Sequence, residues 1–305
     1  SMPAVVAPPA LHAQGQLLQA WLAPFVAPAG GPRVASGPTV RLHVARLPGT
    51  TSPEAYRLTI DPTAGVNVTG ATAAGVARGL QSLRSLLPVD ANPAQGLELP
   101  ALQVLDEPRF ALRGLLLDVA RHFHPKDTVL RVIDLMARYK LNTLHLHLTD
   151  DEGWRLAIAG LPELTAFGGR RGHVVEPAAH LPPAHGSGPD AHRSSGSGHF
   201  SADDYVAILR HAASRHVTVL PEIEMPGHAR AAVQAMEARA RRLAAAGDPQ
   251  ADAHRLADPG DRSRYRTAQL HHDNLMDPSL ESTYRFVDQV VGEVARLHRV
   301  AGVPL

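Results

Sequence analysis

The chain has 305 residues, which is long enough for two domains or for one large barrel with a sizeable buried core. Its 30 Lys and Arg balance 29 Asp and Glu without a basic run, so we expect neither a nucleic-acid nor an anionic-membrane partner. The sequence has no Cys, which excludes disulfides, thiolate chemistry and Cys-ligated zinc. Pro, His and Arg interrupt the longest apolar stretches well before the roughly 20 residues that span a bilayer.

The first part of the chain has the pattern of a small α+β domain. Apolar and polar residues alternate over 39–44 and 54–61, which predicts two half-buried antiparallel strands. Over 71–88 apolar residues recur at helical spacing, which predicts a helix that covers them. A segment rich in Pro and turn formers follows at 90–108 and marks a domain boundary. We therefore assign residues 1–105 to a first domain.

The second part, residues 106–305, alternates strand and helix patterns. The run RGLLLDVA at 113–120 is continuously apolar, as expected for a parallel strand that is covered on both faces. An amphipathic helix pattern after Pro125 and a strand pattern that ends in TDD complete a βαβ unit. Ser201 and Asp204 form a capping-box signature before the next helix, strand and Ala-rich helix. This alternation predicts a parallel α/β layer, whose favoured closed form is a (β/α)8 barrel.

Two segments do not fit a bare barrel. Residues 171–200 are dense in Gly, Ser, Pro and His, and residues 248–280 are polar and rich in Asp and Arg. We expect both to be long loops after strands. They either help to build an active site at the carboxyl ends of the strands or are surface insertions without order.

Polar residues cluster where the predicted barrel strands end. Arg121 follows the first strand, Asp150, Asp151 and Glu152 follow the second, and His228 follows the third. Carboxyl ends of parallel strands share one face of a barrel, so we expect these side chains to converge. Arg121 suits a clamp on sugar hydroxyls or a carboxylate, or else a surface ion pair. The carboxylates suit a general acid, a general base, a metal ligand or a helix cap, and His228 suits a proton relay or a structural role.

Two further pairs leave alternatives open. Glu222 and Glu224 point to the same side of the third strand, as a glycosidase carboxylate pair does, or they pair with buried Arg or His. His145 and His147 form an H-x-H pattern on the second strand, as in metal-dependent barrel hydrolases. Both histidines precede the predicted end of that strand, and no third ligand follows at a predicted strand end. Metal binding is therefore the less favoured interpretation.

A long stretch of the chain also resembles a known family. Residues 113–169, RGLLLDVARHFHPKDTVLRVIDLMARYKLNTLHLHLTDDEGWRLAIAGLPELTAFGG, resemble glycoside hydrolase family 20 throughout. The resemblance continues through VTVLPEIEMPGHARAAVQAMEARA to STYRFVDQVVGEVARLHRVAGVPL and is greatest to the bacterial chitobiase branch. The first domain is similar to the accessory domain of this family at EAYRLTI and GVARGLQSL.

The resemblance implies exo-hydrolysis of terminal β-linked N-acetylglucosamine or N-acetylgalactosamine with retention of configuration, without a metal or another cofactor. In this family the acetamido oxygen of the substrate is the nucleophile, a Glu is the general acid, and the Asp before it orients the acetamido group. Matched onto this sequence, Arg121 holds the C3 and C4 hydroxyls, and Asp150 and His228 form a hydrogen-bonded support behind the acid. The expected partner is an oligosaccharide or glycan that contains N-acetylhexosamine, in a periplasmic or secreted compartment.

The family's H-x-G-G-D-E motif, which carries the acid, does not occur in this sequence. We expect the fourth barrel strand to begin at AGVPL, so the chain holds three strands of the eight and lacks most of the aromatic residues that line the sugar pocket. Because three strands leave an open hydrophobic edge, we expect this chain to be one piece of a longer polypeptide, whose remainder completes the barrel as another chain. The alternatives are a non-catalytic carbohydrate-binding fragment and, less favoured, a metal-dependent barrel hydrolase that uses His145 and His147.

Overall fold

The structure is a computed structural model that describes residues 2–25, 39–90, 97–173 and 179–305. Residues 91–96 of the predicted boundary segment and 174–178 of the first predicted loop lie outside the described residues. The chain divides into two compact units. The first consists of Ser1–Arg113, Leu135–Asn142 and Ser214–His216, and the second of Gly114–Asp134, Thr143–Ala213 and Val217–Leu305.

The first unit is built on a five-stranded mixed sheet. Its elements are β1 (Ala4–Val6), α1 (His12–Leu22), β2 (Thr39–Val44), β3 (Tyr56–Asp61), β4 (Gly65–Gly70), α2 (Ala73–Ser85) and β5 (Leu102–Asp106). The strand order is β1-β2-β4-β3-β5. The β1–β2 and β2–β4 pairs are parallel, whereas β3 is antiparallel to both β4 and β5.

The two strands predicted to be antiparallel, β2 and β3, are not paired, because β4 lies between them. A tight hairpin joins β3 to β4, in which the Asp61 carboxylate accepts hydrogen bonds from the amides of Thr63 and Ala64 at 2.8 Å. Gly65 then adopts a φ of +81°, and a Cβ there would meet the carbonyl oxygen of Thr39 at 2.5 Å. Only glycine lets β4 approach β2 this closely. The alternation of apolar and polar residues predicted β2 and β3 as strands. It did not predict that β4 pairs with both, because that pairing depends on the turn between β3 and β4.

The core of the first unit lies between the sheet and its helices. Gly79 of α2 sits so close to the sheet that a Cβ there would meet Val68 Cγ1 at 2.7 Å. The hydroxyl of Thr72 caps α2 by accepting a hydrogen bond from the amide of Gly75 at 3.4 Å. Fully buried apolar side chains contribute about 1.5–3 kcal/mol each to folding. Those in this core include Leu11, Leu18, Leu42, Leu58, Val68, Val76 and Leu80.

The second unit is built on a three-stranded parallel sheet. Its elements are β6 (Gly114–Asp118), α3 (Lys126–Arg138, which begins in this unit), β7 (Thr143–His147), β8 (Thr149–Asp150), β9 (Gly153–Trp154), α4 (Glu163–Ala166), α5 (Ala202–Ser214), β10 (Thr218–Glu222), α6 (Arg230–Ala245) and α7 (Glu281–Ala301). The strand order is β10-β7-β6, and β8 and β9 form a separate short hairpin. The predicted mixed α/β fold with a parallel sheet is confirmed. Closure of the sheet into a barrel stays a prediction.

Local signals placed the helices of the second unit well. Before α5, Ser201 Oγ accepts from the amide of Asp204 at 3.0 Å, and Asp204 Oδ2 accepts from the amide of Ser201 at 3.1 Å, so the capping box is confirmed. The 21-residue helix α7 buries one face and ends at Ala301, and Gly302 caps it with a φ of +75°. Within the described ranges, no helix combines the length and the apolar character required to cross a membrane.

Both segments predicted to be long loops lack helices and regular strands wherever the structure describes them. Two arginines that are fully buried anchor the loop of residues 171–200. Arg155 donates to the carbonyls of Gly196 and Gly198 at 2.9 and 3.0 Å. Arg171 donates to the carbonyl of Arg121 at 2.6 Å. This loop is thereby tied to the turn that follows β6.

Candidate functional site

Three titratable residues stand in one row across the carboxyl end of the parallel sheet. Asp118, His147 and Glu222 are the last residues of β6, β7 and β10, and the strand register aligns all three. Residues aligned in this way point to the same face of a sheet. The prediction that His147 lies before the end of its strand was wrong, because β7 ends at His147.

The turn after β6 sets the position of Arg121. Asp118 Oδ1 accepts hydrogen bonds from the backbone amides of Ala120 and Arg121, both at 3.0 Å, and its Oδ2 accepts from Arg121 Nη1 at 2.8 Å. The other terminal nitrogen of Arg121 lies 2.6 Å from Asp150 Oδ2. The side chain of Arg121 is nevertheless 41% exposed. Its guanidinium is therefore fixed in orientation while part of it stays open to a ligand.

Asp150 is a buried carboxylate between two cations. Its side chain is 1% exposed, and its Oδ2 lies 2.9 Å from His147 Nε2 as well as close to Arg121. Its Oδ1 accepts a hydrogen bond from the amide of Asp151 at 2.7 Å. Burial alone raises the pKa of a carboxyl group, but the bonds from His147 and Asp151 and the charge of Arg121 lower the pKa of Asp150 below its ordinary value. Asp150 is ionised at neutral pH.

His147 uses both of its ring nitrogens. Besides Asp150 at Nε2, it contacts Glu222 Oε2 through Nδ1 at 2.5 Å. His145, two residues earlier on the same side of β7, reaches the same Glu222 oxygen through Nε2 at 2.7 Å. Burial opposes the charged ring of His147, but its bonds to the two carboxylates raise its pKa to about 9. His147 therefore carries a positive charge at neutral pH.

We expect the stability of the protein to depend on pH through His147. Its folded-state pKa of about 9 exceeds its ordinary value of 6.5, so this contribution is fully present below about pH 6.5 and is lost as pH rises through about 9. The variant His147→Ala should lose more unfolding free energy, relative to wild type, at about pH 6 than at about pH 10. Urea unfolding at both pH values measures the difference. An equal loss at the two would contradict the raised pKa.

His228 and Asp151 lie beside Asp150. His228 Nδ1 is 3.4 Å from Asp150 Oδ1 and 3.5 Å from Asp151 Oδ2, and it makes no hydrogen bond within the described part of the chain. The predicted hydrogen bond between Asp150 and His228 is therefore not formed at this separation and orientation of the ring. Asp151 is buried and accepts from Asn274 Nδ2 at 3.1 Å and from the amide of Arg230 at 3.2 Å.

Two groups of the described residues bring ligand atoms close enough to hold a metal ion. They are His147 with Glu222 and Glu224, and Asp150 and Asp151 with His228. Neither group contains both His145 and His147, the pair that the sequence suggested. Both rings contact the Glu222 carboxylate. A metal ligand must be a neutral imidazole, whereas the two carboxylates keep His147 protonated. An ion bound there would first have to displace the proton of His147, so the H-x-H metal centre stays the less favoured interpretation.

The alternatives left open for the acidic residues now have a structural outcome. Glu222 pairs with His145 and His147. Pairing with Arg or His was the alternative to a glycosidase carboxylate pair of Glu222 and Glu224. Sequence reasoning missed Asn274, whose contact with Asp151 brings the loop of residues 248–280 to the site. It also missed the role of Asp118, although a carboxylate at the end of a predicted strand, three residues before Arg121, was a usable signal.

Two family sequence models match the chain. The model of the glycosyl hydrolase family 20 catalytic domain matches residues 110–303, and that of domain 2 of the same family matches residues 3–107. The chain belongs to glycosyl hydrolase family 20. The resemblance inferred from the motifs is thereby confirmed.

Curated relatives within family 20 are much longer than this chain. The N,N'-diacetylchitobiase of Vibrio harveyi is 50% identical over 234 residues, which are 76% of this chain and 26% of that protein. The beta-hexosaminidase B of Pseudoalteromonas piscicida is 43% identical over 265 residues, which are 87% of this chain and 33% of that protein. The chain thus spans about a quarter to a third of the length of these relatives.

Solved family 20 structures share the fold along nearly the whole chain. The exo beta-N-acetylglucosaminidase of Vibrio harveyi, solved with N-acetylglucosamine, has a TM-score of 0.77 and 30% identity, over 97% of this chain and 42% of that one. The N-acetyl-beta-hexosaminidase of Streptomyces plicatus has a TM-score of 0.71 and 33% identity, over 97% of this chain and 53% of that one.

Proposed function

We propose that this chain is part of a β-N-acetylhexosaminidase, which removes terminal β-linked N-acetylglucosamine or N-acetylgalactosamine from an oligosaccharide or glycan. Beyond membership of the family, the proposal rests on one observation in the structure. Arg121 is held by Asp118 and Asp150 at the carboxyl end of a parallel sheet, and its side chain is still 41% exposed. A fixed, partly open guanidinium in that place suits the hydroxyls of a sugar. The names of the family 20 relatives support the same substrate class.

In the proposed reaction, the acetamido oxygen of the bound sugar attacks its anomeric carbon while a general-acid Glu protonates the leaving glycosidic oxygen. The resulting oxazolinium ion is then opened by water, so configuration is retained and no covalent enzyme adduct forms. Arg121 holds the C3 and C4 hydroxyls. Asp150 Oδ1 and His228 Nδ1 lie 3.4 Å apart, and the two residues form the support behind the acid. No step requires a metal ion or another cofactor.

No Gly-Gly-Asp-Glu occurs among the 305 residues, so the proposal takes the general acid from outside them. We propose that the remainder of a longer polypeptide supplies it and completes a barrel whose first three strands are β6, β7 and β10. The greater length of the family 20 relatives supports this proposal. The same proposal divides the chain into an accessory part, residues 1–105, and a catalytic part, residues 106–305. It places the enzyme in the periplasm or outside the cell.

The polypeptide that carries this chain in full should release nitrophenol from 4-nitrophenyl N-acetyl-β-glucosaminide. The matched control is 4-nitrophenyl β-glucoside, which differs only in the acetamido group. It should not be turned over, because it lacks the proposed nucleophile. Chelation of metal ions should leave the rate unchanged.

Three results would contradict the proposal. Equal hydrolysis of the two nitrophenyl sugars would exclude substrate assistance. A loss of activity on chelation, restored by a divalent ion, would favour the metal-dependent hydrolase. Binding of N-acetylglucosamine without any turnover would favour a carbohydrate-binding protein, the alternative suggested by the absence of a Gly-Gly-Asp-Glu motif from these residues.

A further inference from the structure

His147 links two strands of the parallel sheet through two carboxylates. It contacts Asp150, which follows β7, and Glu222, which ends the neighbouring strand β10, at 2.9 and 2.5 Å. Its side chain is 6% exposed. A substrate cannot reach a ring whose two nitrogens are both engaged inside the fold. Any effect of His147 on a substrate therefore passes through the carboxylates that it holds.

The contacts form an unbroken alternation of charge. Glu222, His147, Asp150, Arg121 and Asp118 follow one another as carboxylate, cation, carboxylate, cation and carboxylate, with each adjacent pair within 2.9 Å. Asp150 Oδ2 is the shared atom, since both Arg121 and His147 approach it. The position of the Arg121 guanidinium thus depends on where His147 holds the Asp150 carboxylate.

We propose that His147 is a positioning residue that ties Asp150 to Glu222 and so fixes the guanidinium of Arg121 in the sugar site. This inference rests on the proposed function, because it assigns Arg121 to the substrate. Loss of His147 leaves Asp150 attached to one cation only. The carboxylate and the guanidinium then move together, and a displacement of about 1 Å at such a group lowers a rate by about 100-fold.

The charged groups around His147 set the pH range over which the link holds. Asp118 faces it from β6, His145 from β7, Asp150 from β8 and Glu222 from β10, with Glu224 just beyond. The carboxylates Asp150, Glu222 and Asp118 favour the protonated ring. The ring loses its proton as pH rises through about 9, and one of its two donors is then lost. Removing the charge of Glu222 lowers the pH at which this happens.

The test uses the full polypeptide and three variants. His147→Ala should lower kcat/KM for 4-nitrophenyl N-acetyl-β-glucosaminide by about 10- to 100-fold. Glu222→Gln keeps a hydrogen-bond acceptor and should move the alkaline limb of the kcat/KM profile to lower pH by about one unit or more. His211→Ala is the matched control, because His211 pairs with Asp134 at 3.1 Å between α5 and α3. It should change neither quantity.

Wild-type kcat/KM in His147→Ala, or an alkaline limb that Glu222→Gln does not move, would overturn the inference. If His147→Ala does not fold, the Glu222→Gln profile decides alone, since a merely structural role would not move a pH limb. An inactive wild-type protein would contradict the proposed function instead. Calorimetric binding of N-acetylglucosamine then decides this inference, because His147→Ala should weaken binding by at least about 10-fold and His211→Ala should not.

Discussion

Replacing Asp150 by Asn should lower kcat/KM of the full polypeptide by about 1000-fold, as the loss of one preorganised charged contact does in other active sites. Asn keeps the size of Asp but not its charge. Arg121 and His147 would lose the oxygen that both approach, and the amide nitrogen would face their N–H groups wherever it replaced that oxygen. Nitrophenol release from 4-nitrophenyl N-acetyl-β-glucosaminide over a range of concentrations gives kcat and KM separately.

The matched control for this change is Asp127→Asn. Asp127 is an exposed carboxylate in the first turn of α3 and lies outside the site. Its replacement should leave kcat/KM within about twofold of wild type, because an exposed helix-terminal charge changes only stability, by about 0.3–1 kcal/mol. A wild-type rate in Asp150→Asn would remove Asp150 from the mechanism. A loss that is confined to KM would limit it to sugar binding.

Replacing Arg155 by Met should destabilise the fold by about 3–5 kcal/mol. The Arg155 side chain is fully buried, and its guanidinium donates to carbonyls from three stretches of chain. Those carbonyls belong to Val119, Ala120, Gly169, Gly196 and Gly198. Met fills part of the space but donates nothing, so the carbonyls would stay buried without partners. The midpoint and slope of urea unfolding measure the loss.

Arg193→Met is the control for this second change, because the Arg193 side chain is 88% exposed and its ion pair with Asp190 is 3.7 Å long. It should change stability by less than about 0.5 kcal/mol. Burial lowers the pKa of Arg155 to about 9, and its desolvation opposes the gain from its hydrogen bonds. If Arg155→Met were as stable as Arg193→Met, that desolvation would cancel the hydrogen bonds, and the anchoring of the loop would have to come from elsewhere.

Much of the fold was predictable because the signals are local. The alternation over 39–44 and 54–61 located β2 and β3, and the capping box at Ser201 and Asp204 located the start of α5. Strand pairing was not predictable in the same way. The placement of β4 between β2 and β3 depends on a turn at Asp61 and on contacts between residues far apart in sequence.

The same distinction between local signals and long-range contacts applies to the site. The positions of Arg121, Asp150 and His228 after three successive strands were enough to predict that they converge, because parallel strands end at one edge. The identity of their partners was not contained in those positions. The family motifs likewise identified glycosyl hydrolase family 20 from the chain's own residues.

The family, the alternation of strands and helices, and the edge of the sheet at which the polar side chains meet were therefore predictable from the sequence alone. The contacts of His147 with Asp150 and Glu222, and of His145 with the same Glu222 oxygen, became visible only in the folded chain. The same is true of the contact between Asn274 and Asp151. The physical reason is that periodicity reports the environment of one segment, whereas these contacts depend on the register between strands and on the path of loops that carry no periodicity.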